Sequence, residues 1–271
     1  MNKPMYAKMI TLAVIGFFTW SIQGCHSSAA NTLVKRDPEK AVKVRTQLAA
    51  EYIRAGDLDA AKRALDQAFT ADSKDSGANM MMGVLLQQEG SPTSLEQADR
   101  YFKRAIGSDP KNAQARNNYG TYLFQQQRYP EAIAQFKIAG AALGYDQRYV
   151  ALENLGRVYL SLDDVTLAEK TFKQALQVNR DSSISMLQLA ELLYLQQKFS
   201  EAGPFYTQFV RLTGAKNQSA AALWLGIRLA RANGDEMGMQ VLINQLRALF
   251  PDSQEYQRFL QLQYSTEAVW K

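Results

Sequence analysis

The chain has 271 residues, a formal charge of +5, and a single histidine and a single cysteine. Its basic and acidic residues are interspersed rather than collected into a basic stripe, which argues against a nucleic-acid partner. The histidine and the cysteine are neighbours, His26 and Cys25, near the start of the chain. The rest of the chain therefore lacks the residues for a hydrolytic triad or a Cys/His metal site, and we expect no catalytic site, no cofactor and no small-molecule substrate.

The first 24 residues have the layout of a secretory signal. Lys3 and Lys8 precede an apolar stretch from Met9 to Trp20, and the segment contains no acidic residue. The apolar stretch is shorter than the roughly 20 residues that a membrane-spanning helix needs. We therefore expect residues 1–24 to be a signal peptide that directs export.

The signal ends in Ile22-Gln23-Gly24-Cys25, which resembles the bacterial lipobox. The resemblance implies that Cys25 is diacylated and becomes the new N-terminus; the alternative is a chance cysteine beside an ordinary cleavage site. Lipoproteins that are retained at the inner membrane usually have Asp directly after the acylated cysteine, whereas this chain has His26. The implied destination is therefore the periplasmic face of the outer membrane, where the lipid would insert into the inner leaflet. Residues 25–41 are then the lipidated N-terminus and a tether.

A small residue recurs along the rest of the chain at intervals of 34, 37, 36, 34 and 36 residues, which is a helical-repeat period. About twelve residues after most of them stands an alanine, followed four residues later by a large apolar residue. Small residues allow two helices to approach closely. The recurring small residues are Ala49, Gly83, Gly120, Gly156, Ala190 and Gly226; the later alanines are Ala61, Ala98, Ala132, Ala168 and Ala202.

This pattern resembles the tetratricopeptide repeat. The resemblance implies an all-α solenoid of six helix pairs over residues 42–252. The sixth copy is degenerate, and residues 253–271 are expected to form a capping helix and tail, because the end of a solenoid must be covered. Two insertions, Gly90–Ser94 and Gly144–Asp146, are expected to lengthen turns. The repeats are expected to begin near Val42, Ser76, Ala113, Tyr149, Ser183 and Ser219.

In tetratricopeptide arrays the first helix of each repeat lines a groove, at positions two, five, nine and twelve when the small residue is position eight. A groove that mixes apolar and amide side chains suits a peptide or an amphipathic helix. Large residues such as Met80 and Phe124 have an alternative role, which is packing against the next repeat. The predicted partner-binding residues are Ile53, Met80, Val84, Gln87, Asn117, Thr121 and Phe124.

The predicted groove gains charge toward its C-terminal half, where Glu153 and Glu191 belong to repeats four and five. Leu223 and Ile227 of the sixth repeat are weaker candidates for partner binding, because they are expected to lie under the cap. The adjacent acids Asp163 and Asp164 fall where a turn is expected, so we interpret them as turn or capping residues rather than a catalytic pair.

Two phrases of the repeats resemble the type IV pilus biogenesis/stability family, the pilotins of the pilus secretin: Asn117-Asn118-Tyr119-Gly120 with Leu123-Phe124, and Glu51-Tyr52-Ile53 with Gly56-Asp57. The resemblance implies a non-enzymatic outer-membrane lipoprotein that binds secretin subunits and promotes their localisation and multimerisation. The alternative is a lipoprotein adaptor that recruits peptidoglycan hydrolases or outer-membrane assembly factors.

Overall fold

The computed structural model describes residues 37–267, 269 and 270. The predicted signal peptide, Cys25 and most of the predicted tether lie outside the described residues. The described part is all-α, as the sequence predicts. Its helices are α1 (Pro38–Ala55), α2 (Leu58–Ala71), α3 (Ser76–Glu89), α4 (Pro92–Ser108), α5 (Ala113–Gln125), α6 (Tyr129–Ala141), α7 (Arg148–Ser161), α8 (Val165–Val178), α9 (Ser183–Leu195), α10 (Phe199–Thr213), α11 (Ala220–Ala232), α12 (Glu236–Leu249) and α13 (Gln254–Leu262), with a short 3-10 helix, Ala215–Asn217, before α11.

The helices pair in chain order, from α1 with α2 to α11 with α12, and α13 packs on α11. The first helices of neighbouring repeats also contact each other: α1 contacts α3, and α3 contacts α5. This arrangement confirms the predicted solenoid of six helix pairs with a capping helix. We call the side formed by the first helices, α1, α3, α5, α7, α9 and α11, the inner face. In the described part of the chain, no helix is both long enough and apolar enough to cross a membrane.

The small residues of the repeat are where the paired helices meet. A Cβ atom added to Gly120 would lie 2.7 Å from a ring carbon of Phe136, and one added to Gly156 would lie 2.7 Å from Phe172. Both phenylalanines are fully buried in a core that is continuous from Val42 to Leu192. Glycine is therefore needed here because the ring of the second helix occupies the space of a side chain.

The sixth repeat uses its glycine differently. Gly226 packs against Tyr206, which belongs to the second helix of the preceding repeat, as well as against Leu242 of its own second helix. The nearest neighbours of Gly226 therefore come from two repeats. Gly238 stands where the other repeats have alanine; its backbone N–H donates to the capping carboxylate of Asp235 at 2.8 Å, and that carboxylate lies in the space that a Cβ atom would take.

Helix starts explain two departures from the sequence expectations. The tether was expected to reach residue 41, but Asp37 caps α1 and Pro38 is its first residue, so residues 38–41 form the first turn of α1. The insertion at Gly90–Ser94 was expected to lengthen a turn; instead Ser91 caps α4, which begins at Pro92. Proline in the first helical turn loses no hydrogen bond, so each Pro extends the helix rather than the loop.

The adjacent acids between α7 and α8 have the turn and capping roles that the sequence predicts. Asp163 adopts a left-handed backbone conformation with φ of 58°. Asp164 caps α8, accepting a hydrogen bond from the backbone N–H of Leu167 at 3.0 Å. Asp163 therefore serves the turn through its backbone conformation, and Asp164 through its capping carboxylate.

Candidate peptide-binding groove

A cavity of about 360 Å³ lies on the inner face between α3 and α5. We call it the α3–α5 groove. Its lining contains amide, hydroxyl and aliphatic side chains and no ionisable group. The lining residues are Val84, Gln87, Gln88, Asn118, Thr121 and Gln125.

Hydrogen bonds fix the walls of the α3–α5 groove. The amide Nε2 of Gln87 donates to Oε1 of Gln125 across the two repeats at 2.6 Å. The hydroxyl of Thr121 donates to the carbonyl of Asn117 one turn earlier at 3.1 Å. The amide groups of Gln87 and Gln125 retain further donor and acceptor capacity after bonding to each other. The groove can therefore offer hydrogen bonds to the backbone of an extended peptide.

Of the predicted partner-binding residues, Val84, Gln87 and Thr121 line this groove. Three others are buried in the chain as it stands: Ile53 and Met80 belong to the core, and the Oδ1 atom of Asn117 accepts a hydrogen bond from Nδ2 of Asn154 at 3.2 Å. Those three side chains hold neighbouring repeats together and have little surface left for a partner. We therefore expect any effect of these residues on a partner to be indirect, through the positions of α1, α3 and α5.

Phe124 also lies away from the groove. It is half-buried, and its ring is 5.8 Å from the ring of Tyr129, centroid to centroid, at the start of α6. Met80 is thus part of the core, and the ring contact of Phe124 is made with α6 of its own repeat. Their effect on a partner remains a prediction.

Three lining residues were not predicted from the sequence: Gln88, Asn118 and Gln125. They occupy positions thirteen, six and thirteen of their repeats. These positions lie three or four residues from position nine, and so share its side of the helix. Helical spacing alone was therefore enough to include them beside Val84 and Thr121.

A polar cluster connects α5, which carries one wall of the groove, to its neighbours α4 and α6. The Asp99 carboxylate of α4 accepts hydrogen bonds from Tyr119 of α5 at 2.9 Å and from Arg128, next to α6, at 2.7 Å, and pairs with Lys103 at 2.6 Å. Burial by itself raises the pKa of Asp99, because it disfavours the charged carboxylate. The hydrogen bonds from the three donors have the larger effect and hold the pKa below its usual value. Burial and the nearby Asp99 charge raise the pKa of Tyr119. The cluster therefore ties α5 to α4 and to the start of α6.

The inner face of the fourth and fifth repeats differs from the α3–α5 groove. Glu153, predicted to bring charge to it, is buried, and its carboxylate accepts hydrogen bonds from the hydroxyls of Ser182 and Ser185. Glu191 is half-exposed and pairs with the buried Arg228 of α11 at 2.5 Å. Leu223 and Ile227 of the sixth repeat are buried in a cluster with Phe259 of α13, as predicted for residues under the cap, and Trp270 joins them there.

The described residues contain no group of His, Cys, Asp and Glu side chains arranged to hold a metal ion. The α3–α5 groove presents amide, hydroxyl and aliphatic surface.

Comparison with known proteins assigns this architecture to a family. Tetratricopeptide-repeat models match residues 42–75, 94–146 and 153–220. The chain is 32% identical to the type IV pilus assembly protein PilF of Pseudomonas aeruginosa over 252 residues, covering 92% of this chain and 98% of that protein.

Solved structures agree with the sequence match. The structure from the functional characterisation of P. aeruginosa PilF superposes with a TM-score of 0.76 at 32% identity, covering 83% of this chain and 98% of that one. The structure of PilW, described as a widely conserved type IV pilus biogenesis factor, superposes with a TM-score of 0.68 at 27% identity, covering 81% and 98%. The chain therefore belongs to the family of tetratricopeptide-repeat type IV pilus biogenesis proteins that includes PilF and PilW.

Proposed function

We propose that the chain is a non-enzymatic outer-membrane lipoprotein that binds subunits of the type IV pilus secretin in the periplasm and promotes their multimerisation. The observation that carries the proposal is the likeness to pilus biogenesis proteins over almost the whole chain, combined with an uncharged groove on the inner face. A repeat array without catalytic chemistry acts by holding a partner.

The sequence before the described residues supports a lipid anchor. A signal followed by Ile22-Gln23-Gly24-Cys25 supplies the acylation site, and diacylation gives two hydrocarbon chains where one alone binds a membrane only marginally. Confining the protein and the secretin subunits to the same membrane face raises their effective concentration. Modest contact energy in the groove then suffices for stable association.

The α3–α5 groove supports the choice of a peptide segment as the ligand. Its lining offers amide donors and acceptors from Gln87, Gln88 and Gln125 and an apolar contact from Val84, without a charge that demands a counter-charge. An extended segment of a secretin subunit would satisfy these groups through its backbone and place one apolar side chain on Val84.

Crosslinking in native membranes, followed by identification of the captured proteins, tests this function. Secretin subunits should be captured by the unaltered protein and should be reduced or misplaced with Cys25→Ser, which keeps the folded repeats but removes the acylation site. Capture of peptidoglycan hydrolases or outer-membrane assembly factors without a pilus component would contradict the proposal and favour the alternative adaptor. If the Cys25→Ser protein captured secretin subunits to the same extent and at the same membrane, the lipid anchor would be contradicted but secretin binding would not.

A further inference from the structure

The end of the chain folds back onto the inner face of the fifth and sixth repeats. Beyond α13, the tail reaches Trp270, whose side chain is 2% exposed, while Tyr264 at the start of the tail is 89% exposed. Trp270 contacts α9 and α11, which are first helices of their repeats. The tail therefore lies where a repeat array of this kind would hold a ligand.

The contacts of the tail divide into backbone contacts and one aromatic anchor. The backbone N–H of Trp270 donates to the hydroxyl of Tyr194 at 2.9 Å, and its carbonyl accepts from Nη1 of Arg228 at 3.2 Å. Earlier in the tail, the carbonyl of Ser265 accepts from Nη2 of Arg231 at 3.1 Å. Bonds to the backbone are available to any extended segment, whatever its sequence.

The aromatic anchor is the indole of Trp270. It stacks on Trp224 at 5.9 Å between centroids and 14° between planes, and the guanidinium of Arg231 lies 4.2 Å from the centroid of the Trp270 ring. Arg228 lies against the rings of Tyr194 and Trp224 and is paired with Glu191, so its position does not depend on the tail alone. We call Tyr194, Trp224, Arg228 and Arg231 the tail site.

Within the described part of the chain, the tail leaves hydrogen-bond donors of this site without acceptors. The indole N–H groups of Trp224 and Trp270 are both buried, and neither has a hydrogen-bond acceptor among residues 37–267, 269 and 270. A buried donor without an acceptor opposes folding of the segment that buries it. A different segment that placed a carbonyl or carboxylate oxygen near Trp224 would accept a hydrogen bond from its indole N–H, which the described residues of the tail do not do.

We infer that the tail site is a second peptide-binding site, distinct from the α3–α5 groove, and that the chain's own tail closes it. Its partner is an extended peptide segment of another protein that carries a tryptophan or similar aromatic side chain. That segment replaces the tail, places its ring between Trp224 and Arg231, and takes over the backbone bonds to Tyr194 and Arg228. Binding then requires the tail to leave, so affinity depends on how firmly the tail is held.

The direct test measures binding of a synthetic peptide with the sequence of residues 265–271, labelled with a fluorophore, by fluorescence anisotropy. The full chain with Trp270→Ala should bind this peptide at least about tenfold more tightly than the unaltered chain, because the unaltered tail competes at a high effective concentration. Tyr264→Ala, which removes an exposed aromatic ring from the same tail, should behave like the unaltered chain. A peptide in which the tryptophan is replaced by alanine should not bind any of them.

Circular dichroism must show that the Trp270→Ala chain keeps its helical content and cooperative melting. Absence of saturable peptide binding by that folded chain would overturn the inference, as would equal binding by the altered and unaltered chains. A dimer of the unaltered chain that Trp270→Ala dissolves would also overturn it, since the site would then hold the tail of a second copy.

Hydrogen exchange of the unaltered chain tests the inference without a substitution. If the tail is a replaceable occupant, the amides of residues 265–267, 269 and 270 should exchange through local opening, much faster than those at the centre of α11. Exchange of both segments only with global unfolding would mean that the tail is part of the core, and would contradict the inference.

Discussion

Gly120 of α5 lies against the ring of Phe136 of α6, at a distance where a Cβ atom would stand 2.7 Å from the ring. We expect Gly120→Ala to lower the free energy of unfolding by about 1–3 kcal/mol, because the fully buried ring has no free space into which to move. Urea denaturation followed by circular dichroism measures the change.

Gly107 provides the control for that substitution. It also lies in a helix, α4, but nothing is within 4 Å of where its Cβ would be. Gly107→Ala should leave stability unchanged or raise it by up to about 1 kcal/mol, because alanine loses less backbone entropy on folding. Equal effects of the two substitutions would show that the contact with Phe136 is not what requires glycine.

The Asp99 cluster predicts a pH dependence. The folded chain holds the pKa of Asp99 below its ordinary value of 3.8, so the stabilisation is complete above that value and is lost as the pH falls through the lowered pKa. Asp99→Asn should therefore cost about 1–3 kcal/mol at pH 7, since it removes the charged acceptor of Tyr119, Arg128 and Lys103. The difference between the two chains should shrink below about pH 4. A difference that stays constant from pH 7 to pH 3 would contradict the assigned charge state.

Two ion pairs of the chain should differ strongly in their contribution to the stability of the fold. Arg228 is 4% exposed in its pair with Glu191, whereas Glu51 and Arg54 are 67% and 68% exposed. Glu191→Ala leaves a buried guanidinium without its carboxylate and should lower stability by about 3 kcal/mol. Glu51→Ala should cost less than about 1 kcal/mol. Thermal and urea denaturation of both variants checks the ranking, and similar losses from the two would refute it.

The periodicity of the sequence was sufficient to predict the fold, because each repeat depends on contacts between residues that are close together in the sequence. Gly120 and Phe136 are sixteen residues apart, and so are Gly156 and Phe172 in the next repeat, so the spacing is visible in the sequence. The start of α4 at Pro92 was missed because Gly90–Ser94 was interpreted as turn residues, although Ser91 and Pro92 also form a helix start.

The groove was harder to predict than the fold. A position number places a residue on the inner side of its helix, but burial depends on the neighbouring helix, which is why Met80 is in the core while Val84 lines the groove. The contact between Trp270 and Tyr194 joins residues 76 positions apart and does not recur. It follows from the complete fold, and no periodic pattern indicates it.

One substitution tests most directly the claim that the α3–α5 groove binds secretin subunits. Val84→Glu places a charge in an uncharged groove, whereas Val241→Glu makes the same change at a residue of α12 that is 65% exposed. Affinity of the purified chain for secretin subunits is measured by calorimetry, after circular dichroism has shown both variants to be folded. We expect Val84→Glu to weaken binding at least about tenfold, since desolvating an unpaired charge costs more than the 1.4 kcal/mol that tenfold represents, and Val241→Glu to have no effect. Unchanged affinity of folded Val84→Glu would contradict the claim.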